Sequence, residues 1–230
     1  MTGATSSEAG HSAERRESAA AAGGARWLDH PLKRLLDLAI AGPGLLLSLP
    51  VALLIALAVR LDSRGPVLFR QERLGRGGRT FSMLKFRTMD TDADELLDDA
   101  LARDEDAEAA WKAYQKLVRD PRVTRVGRVL RRYSLDELPQ LWNVLHGDMT
   151  LVGPRPILPG QRKAYGGGLD GYVRTRPGLT GLWQVSGRNR LGFEARVVLD
   201  ERYRRCSSPL LDLRILLRTV WVVATRDGAW

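Results

Sequence analysis

The chain has 230 residues and a mass of 25.6 kDa, and 44% of its residues are hydrophobic, enough for one domain core plus a greasier segment. A single cysteine, Cys206, excludes an internal disulfide and fits a reducing compartment. The formal charge of +9 hides an asymmetry: ten acids face one base between Asp90 and Glu108, leaving 17 acids against 35 bases elsewhere, a surplus of +18. Such a field draws nucleic acid, an anionic leaflet or phosphate-rich small molecules, and composition does not choose among them.

Residues 1–29, rich in Ala, Gly, Ser, Glu and Arg without apolar period, read as a disordered tail, and no signal peptide is expected. From Leu38 to Val59 the chain runs 22 residues without a charge, long enough to cross a bilayer. Pro43 and Pro50 interrupt this run, and each removes a backbone donor and crowds the preceding turn. Two readings follow: a kinked spanning helix, or a helix–break–helix that enters one leaflet and returns. Lys33 and Arg34 before the run, with Arg60 and Arg64 after it, make both flanks basic, as two cytoplasmic ends would be. A soluble nucleic-acid binder has no reason to carry such a segment, so no nucleic-acid partner is expected.

Val67–Gln71 and Thr80–Phe86 are β-branched and aromatic runs separated by Gly75, Gly77 and Gly78, which predicts a hairpin with a plain glycine-rich turn. The acidic stretch from Asp90 to Val118 has helical spacing and reads as a solvated face rather than a metal site. Val126, Val129 and Leu130 suggest a short helix, and Leu210 to Val223 an amphipathic one that suits either core packing or a membrane surface.

The chemistry centres on Ser134-Leu135-Asp136-Glu137-Leu138-Pro139-Gln140. Pro139 belongs in a first helical turn, so the two carboxylates could simply cap a helix beginning near Asp136. Adjacent carboxylates can also divide labour, one attacking phosphorus while the other holds Mg²⁺ or a proton. Attack by an anion on an anion needs surrounding cations. Lys85, Arg87, Arg131 and Arg155 are the candidates, with a third block from Arg176 to Asn189 offering further arginines between glycines or, equally, a basic surface loop.

Over about residues 30–225 the chain resembles the monotopic polyprenyl-phosphate phosphoglycosyl transferases, the bacterial sugar transferases. The basic-plus-apolar segment from Lys33, Lys85–Met89, Asp120–Thr124, Leu130–Pro156, Arg176–Asn189 and the closing Leu-Asp-Leu-Arg-Ile-Leu-Leu match in order. The resemblance implies an α+β, mainly helical fold: a re-entrant anchor over 30–62 broken at Pro50, then a catalytic unit over 63–230 with a small hairpin and interfacial helices. Ser48 lies one position earlier than the family's Ser-Pro break places it. It also implies that Asp136 is the nucleophile and Glu137 its partner, both serving Mg²⁺. Arg131 and Arg155 would bind phosphate, Lys85 and Arg87 would lie in a basic block nearby, and Arg176, Gln184 and Arg188 would belong to the nucleotide-sugar side. The implied partners are a UDP-sugar, undecaprenyl phosphate, membrane lipid, a second copy in a homodimer and downstream glycosyltransferases, at the cytoplasmic face of a bacterial inner membrane. Gly-Leu-Trp-Gln-Val-Ser-Gly-Arg resembles members that start exopolysaccharide or O-antigen synthesis with hexose 1-phosphates.

Overall fold

A computed structural model describes residues 23–24, 26–104, 108, 111, 117, 120–187 and 192–225. The first 22 residues of the expected tail, much of the second half of the acidic segment, and Arg188 lie outside the described residues. Residues 26–28 of that tail are instead helical, because the Trp27 indole finds a buried position and an acceptor on Asp212. The fold is mainly helical, with two small two-stranded sheets among the described residues.

Helix α1 (Pro31–Asp62) starts with Pro31 in its first turn, where a missing N–H costs nothing, and His30 accepts a hydrogen bond from the Leu32 amide. It is the one described helix long and apolar enough to cross a membrane. Pro43 and Pro50 both lie inside it, so the chain stays helical through the position where the resemblance implies a break. Its burial pattern divides it in three. Lys33, Asp37 and Ala41, one turn apart, are buried; Ile55 and Val59 are buried again near the far end. Between them Leu46, Leu47, Leu49, Val51, Leu53 and Leu54 are exposed.

Both buried portions grip the same body. At the root, Arg34 donates to the carbonyls of Val144 and Leu145, and Asp37 accepts from Thr150 Oγ1 (2.7 Å) and the Leu151 amide (3.0 Å). At the far end, Ile55 and Val59 pack with Phe86 and Leu130, and Asp62 accepts from the Val126 amide at 2.9 Å. Arg87, buried and donating to the carbonyls of Val59, Ser63 and Arg64, closes the C-terminus of α1.

Strands β1 (Leu68–Leu74) and β2 (Thr80–Phe86) form the expected antiparallel hairpin, pairing Leu68 with Phe86 and Leu74 with Thr80. Gly77 and Gly78, both at φ +73°, make the turn between them, where side chains would be strained. Helix α2 (Ala93–Arg103) buries no residue, as a solvated acidic helix should. Helix α3 (Arg125–Arg132) is capped by Thr124, which accepts from the Gly127 amide; a single 3₁₀ turn (Leu135–Glu137) and helix α4 (Gln140–His146) follow.

Strands β3 (Thr150–Val152) and β4 (Gly178–Thr180) pair in parallel at the centre of the core. The sequence reading contains no such sheet. Glycines permit it: a Cβ on Gly178 would lie 2.2 Å from the Gly153 nitrogen, and one on Gly181 would lie 2.1 Å from the Gly153 oxygen. Short helices α5 (Arg162–Tyr165), α6 (Leu169–Val173) and α7 (Leu182–Val185) surround the pair, followed by α8 (Phe193–Cys206) and α9 (Pro209–Thr225). Helix α9 buries Asp212, Ile215 and Val222 and leaves Leu210, Leu213, Leu217, Val220 and Trp221 exposed, so it is apolar on both faces.

The two ends of the fold meet in a buried network. Lys33 Nζ donates to Asp212 Oδ2 (2.6 Å) and the Val152 carbonyl (3.0 Å); Trp27 Nε1 donates to Asp212 Oδ2 at 2.9 Å. The Tyr203 hydroxyl lies 2.7 Å from Asp212 Oδ1. Every charge here has a partner, as burial requires.

Candidate active site

Asp136 and Glu137 stand on the 3₁₀ turn that precedes α4, not on the helix itself. The turn starts from Ser134, whose φ of +54° is the one positive value outside glycine among the described residues. That backbone cost is characteristic of positions fixed for function. Both carboxylates lie in the first turn of this 3₁₀ helix, where acids complement the helix dipole, while α4 begins only at Gln140, so the helix start expected near Asp136 is this short turn.

Asp136 is only 8% exposed. Lys85, from the end of β2, places Nζ 2.8 Å from Glu137 Oε1 and 3.8 Å from Asp136 Oδ2. Burial pushes the Asp136 carboxyl above its ordinary range and Glu137 adds to the rise, while Lys85 and Arg131 pull against it. The result is a carboxylate more basic than usual that is still held by cations. Arg131, from the last turn of α3, donates Nε to Thr88 Oγ1 at 2.9 Å. Asn143 fixes the hairpin from α4, accepting from the Leu84 amide (3.0 Å) and donating to the Ser82 carbonyl (2.8 Å), and so sets Lys85 over the dyad.

A second group of cations adjoins this one. The guanidinium carbons of Arg155 and Arg196 lie 5.3 and 5.5 Å from the Trp183 ring centre, within cation–π range, and Arg196 donates to the Arg155 carbonyl at 3.2 Å. Arg73, from β1, is pushed down to about 10 by burial and by the fields of Arg155 and Arg196, with Glu137 close enough to raise it. Buried polar atoms here lack hydrogen-bond partners: Arg73 Nε, Arg196 Nε and Trp183 Nε1. Behind Arg196, buried Asp200 accepts from the Tyr165 hydroxyl at 2.5 Å, and its own carboxyl is pushed up to about 6 by burial. Cations crowded together beside unsatisfied donors describe a receptacle for a polyanion.

The structure thus brings together Asp136, Glu137, Lys85 and Arg131 and sets Arg155 in the adjoining cluster, while the amide of buried Gln184 lies beside Gly181. Arg87 does not join them, because its guanidinium is spent on the carbonyls at the end of α1. Arg176 lines a different cavity, described below. Arg73 and Arg196 are absent from the sequence reading, although strand alternation in the hairpin puts residue 73 on the same face as Lys85.

The described residues contain no group of three or more His, Cys, Asp or Glu side chains able to hold a metal. What fold and site define is a buried carboxylate dyad ringed by cations beside an apolar helix. The family described as bacterial sugar transferase matches residues 28–226, and the chain belongs to it. The UDP-galactose-lipid carrier transferase of Erwinia amylovora is 46% identical over 199 residues, covering 86% of this chain and 42% of that protein. The undecaprenyl-phosphate galactose phosphotransferase of Salmonella typhimurium is 44% identical with the same coverage. The exopolysaccharide production protein ExoY of Rhizobium meliloti is 43% identical over 86% of this chain and 88% of its own length. The chain therefore spans less than half of the first two relatives and most of the third.

Proposed function

We propose that this protein moves a sugar 1-phosphate from a UDP-sugar to undecaprenyl phosphate, beginning exopolysaccharide or O-antigen type synthesis at the cytoplasmic face of a bacterial inner membrane. The observation that carries the reading is the buried Asp136, bracketed by Lys85 and Arg131 and facing a cluster of under-satisfied arginines. The names of the related proteins support the reaction class.

In this mechanism an Asp136 oxygen forms a bond to the β-phosphorus of the donor, and the bond from that phosphorus to the bridging oxygen breaks. The electron pair leaves on UMP, and the phosphosugar remains on the enzyme as an acyl phosphate. An oxygen of undecaprenyl phosphate then attacks the same phosphorus, Asp136 departs as carboxylate, and polyprenyl-diphosphate-sugar forms. Lys85 orients Glu137 and offsets the charge that repels the incoming anion. Arg155, Arg73 and Arg196 receive the donor's phosphates, and Arg131 lies on the dyad side. The donor set fits Mg²⁺, which favours one or two carboxylates and completes its shell with water and substrate phosphate. Asp136 and Glu137 would hold it, and the ion would supply charge neutralisation on the phosphate oxygens.

The re-entrant reading of α1 belongs to this proposal. A helix of 32 residues is about 48 Å long if straight. A spanning helix would carry its two ends to opposite sides of the bilayer, whereas both ends of α1 hold one body. A bend at Pro50 that dips the exposed leucines into one leaflet satisfies both facts. The exposed apolar face of α9 would lie on the same interface. A homodimer and hand-over of the lipid product to downstream glycosyltransferases complete the picture.

The experiment is UMP release by the detergent-solubilised protein with Mg²⁺, over a panel of UDP-sugars, with and without undecaprenyl phosphate. Lipid-dependent UMP release with one sugar is the expected result and names the donor. Absence of UMP with every sugar, from protein shown to be folded, would sink the reading.

A further inference from the structure

Outside the dyad, the feature least explained by the reaction is a cavity of about 170 Å³ at the root of α1. Arg34, Arg76 and Arg176 line it, with Lys33, Asp29 and Asp37. No member of the dyad cluster lines it. These three arginines come from three separate places: the first turn of α1, the hairpin turn, and the segment leading into β4.

The charges do not balance within the cavity. Lys33 is already answered by Asp212. Asp37 uses both oxygens on Thr150 and Leu151, and Asp29 is 2.7 Å from Arg76. Arg34 spends two donors on the carbonyls ending α4. Arg176, half-buried, has no hydrogen bond or ion pair among the described residues. Burial, then Arg76 and Arg34, press its charge in the unfavourable direction, and Asp29 and Asp37 offset only part of this. A chain gains nothing structural by setting an unpartnered guanidinium beside two other arginines, and a tetrahedral oxyanion would answer Arg176 and take the donors that Arg34 and Arg76 have left.

We propose that this cavity is a second phosphate-binding site, separate from the dyad and formed by Arg34, Arg76 and Arg176. Its ligand is a phosphate group, carried by a lipid headgroup or free in solution. The lipid source has a geometric basis, because Arg34 lies four residues before the uncharged run begins at Leu38, the depth of headgroups if α1 enters a leaflet. The site goes beyond the transferase reading and does not depend on it.

Hydrogen exchange read by mass spectrometry tests it with spatial resolution. The baseline is the full chain in a maltoside detergent, which contains no phosphate. One arm adds inorganic phosphate against chloride of matched ionic strength. The other transfers the protein to nanodiscs of phosphatidylcholine, with and without phosphatidylglycerol. Slower exchange in peptides covering 28–37 and 174–178 is expected, and the double variant Arg76→Gln/Arg176→Gln should weaken the protecting ligand by about tenfold or more. Arg176→Lys should retain part of the effect. Protection by inorganic phosphate alone names a soluble ligand, and protection that rises with phosphatidylglycerol names a headgroup. If neither arm protects these peptides, or the double variant is protected as well as the parent, the proposal is wrong. Protection confined to peptides around 131–137 and 155 would equally overturn it, while leaving the dyad reading intact.

Discussion

Asp136 occupies a position where ionisation is opposed by burial and permitted by two cations, and that tension is what a phosphorus nucleophile needs. Replacing it with Asn keeps shape and removes the attacking charge. Asp136→Asn is expected to lower UMP release by at least about three orders of magnitude, given the weight of covalent and charge effects together. Membrane partition of the variant should match the parent, and robust turnover would remove Asp136 from the role. Arg73→Gln and Arg196→Gln address the adjoining cluster. Each deletes one charged donor from the proposed diphosphate receptacle, so the donor KM should rise about tenfold while the KM for undecaprenyl phosphate stays within about twofold. A fall in kcat alone, with both KM values unchanged, would assign these arginines elsewhere. The sequence exposed the dyad and Lys85 because they sit in short, unusual strings. It hid Arg73 and Arg196, since an arginine on a strand or in a mixed helix looks like any solvent-facing charge until register is known.

Helix ends and buried carboxylates set the expectations for individual elements. Arg87 terminates α1 through three carbonyls, so Arg87→Ala should destabilise by about 2–4 kcal/mol, the range for losing charged hydrogen bonds and leaving acceptors bare. Chemical denaturation in detergent would measure it, and a change below about 0.5 kcal/mol would mean that water replaces the guanidinium freely. Asp200 on α8 predicts a pH dependence. Its carboxyl is pushed from 3.8 up to about 6 in the fold, so the folded state holds the proton more tightly than the unfolded chain. The stabilising effect of protonation is therefore full below about pH 4, falls as pH rises through 4 to 6, and is gone above. Its span is about 3 kcal/mol at 1.4 kcal/mol per pH unit. Asp200→Asn should flatten that part of the stability profile, and an unchanged profile would refute the assignment. The hairpin was legible from its β-branched and aromatic runs around a glycine-rich turn, and α3 and α9 from their apolar spacing. The β3–β4 pair was not, because three-residue strands have no period and their pairing depends on glycines 153, 178 and 181 approaching more closely than any side chain allows.

At the scale of the molecule, the anchor is a staple with both legs in one block. Single cysteines placed near Asp29 and near Arg64 should react with a membrane-impermeant maleimide from the same side of sealed vesicles. Labelling from opposite sides would establish a span and remove the bend at Pro50. Composition and the uncharged run announced a membrane segment, but both flanks are basic, so charge could not say which way it turned. What bears on that is packing at Ala41 and Val59, which no local pattern encodes.

The ion pair between Lys33 and Asp212 also has a temporal meaning. Its partners are 179 residues apart, and Trp27 reaches Asp212 across 185. During synthesis the root of α1 leaves the ribosome 179 residues before Asp212, so its ammonium meets its counter-ion only when α9 has followed. Such long-range closure is slow, and every intermediate carries an unanswered charge at a site destined for burial. The nascent protein must therefore hold its root hydrated until α9 arrives, making α9 the element that locks assembly. Chains halted before Asp212 are expected to reach the membrane but remain open to protease at the root of α1, whereas chains extended past it become resistant.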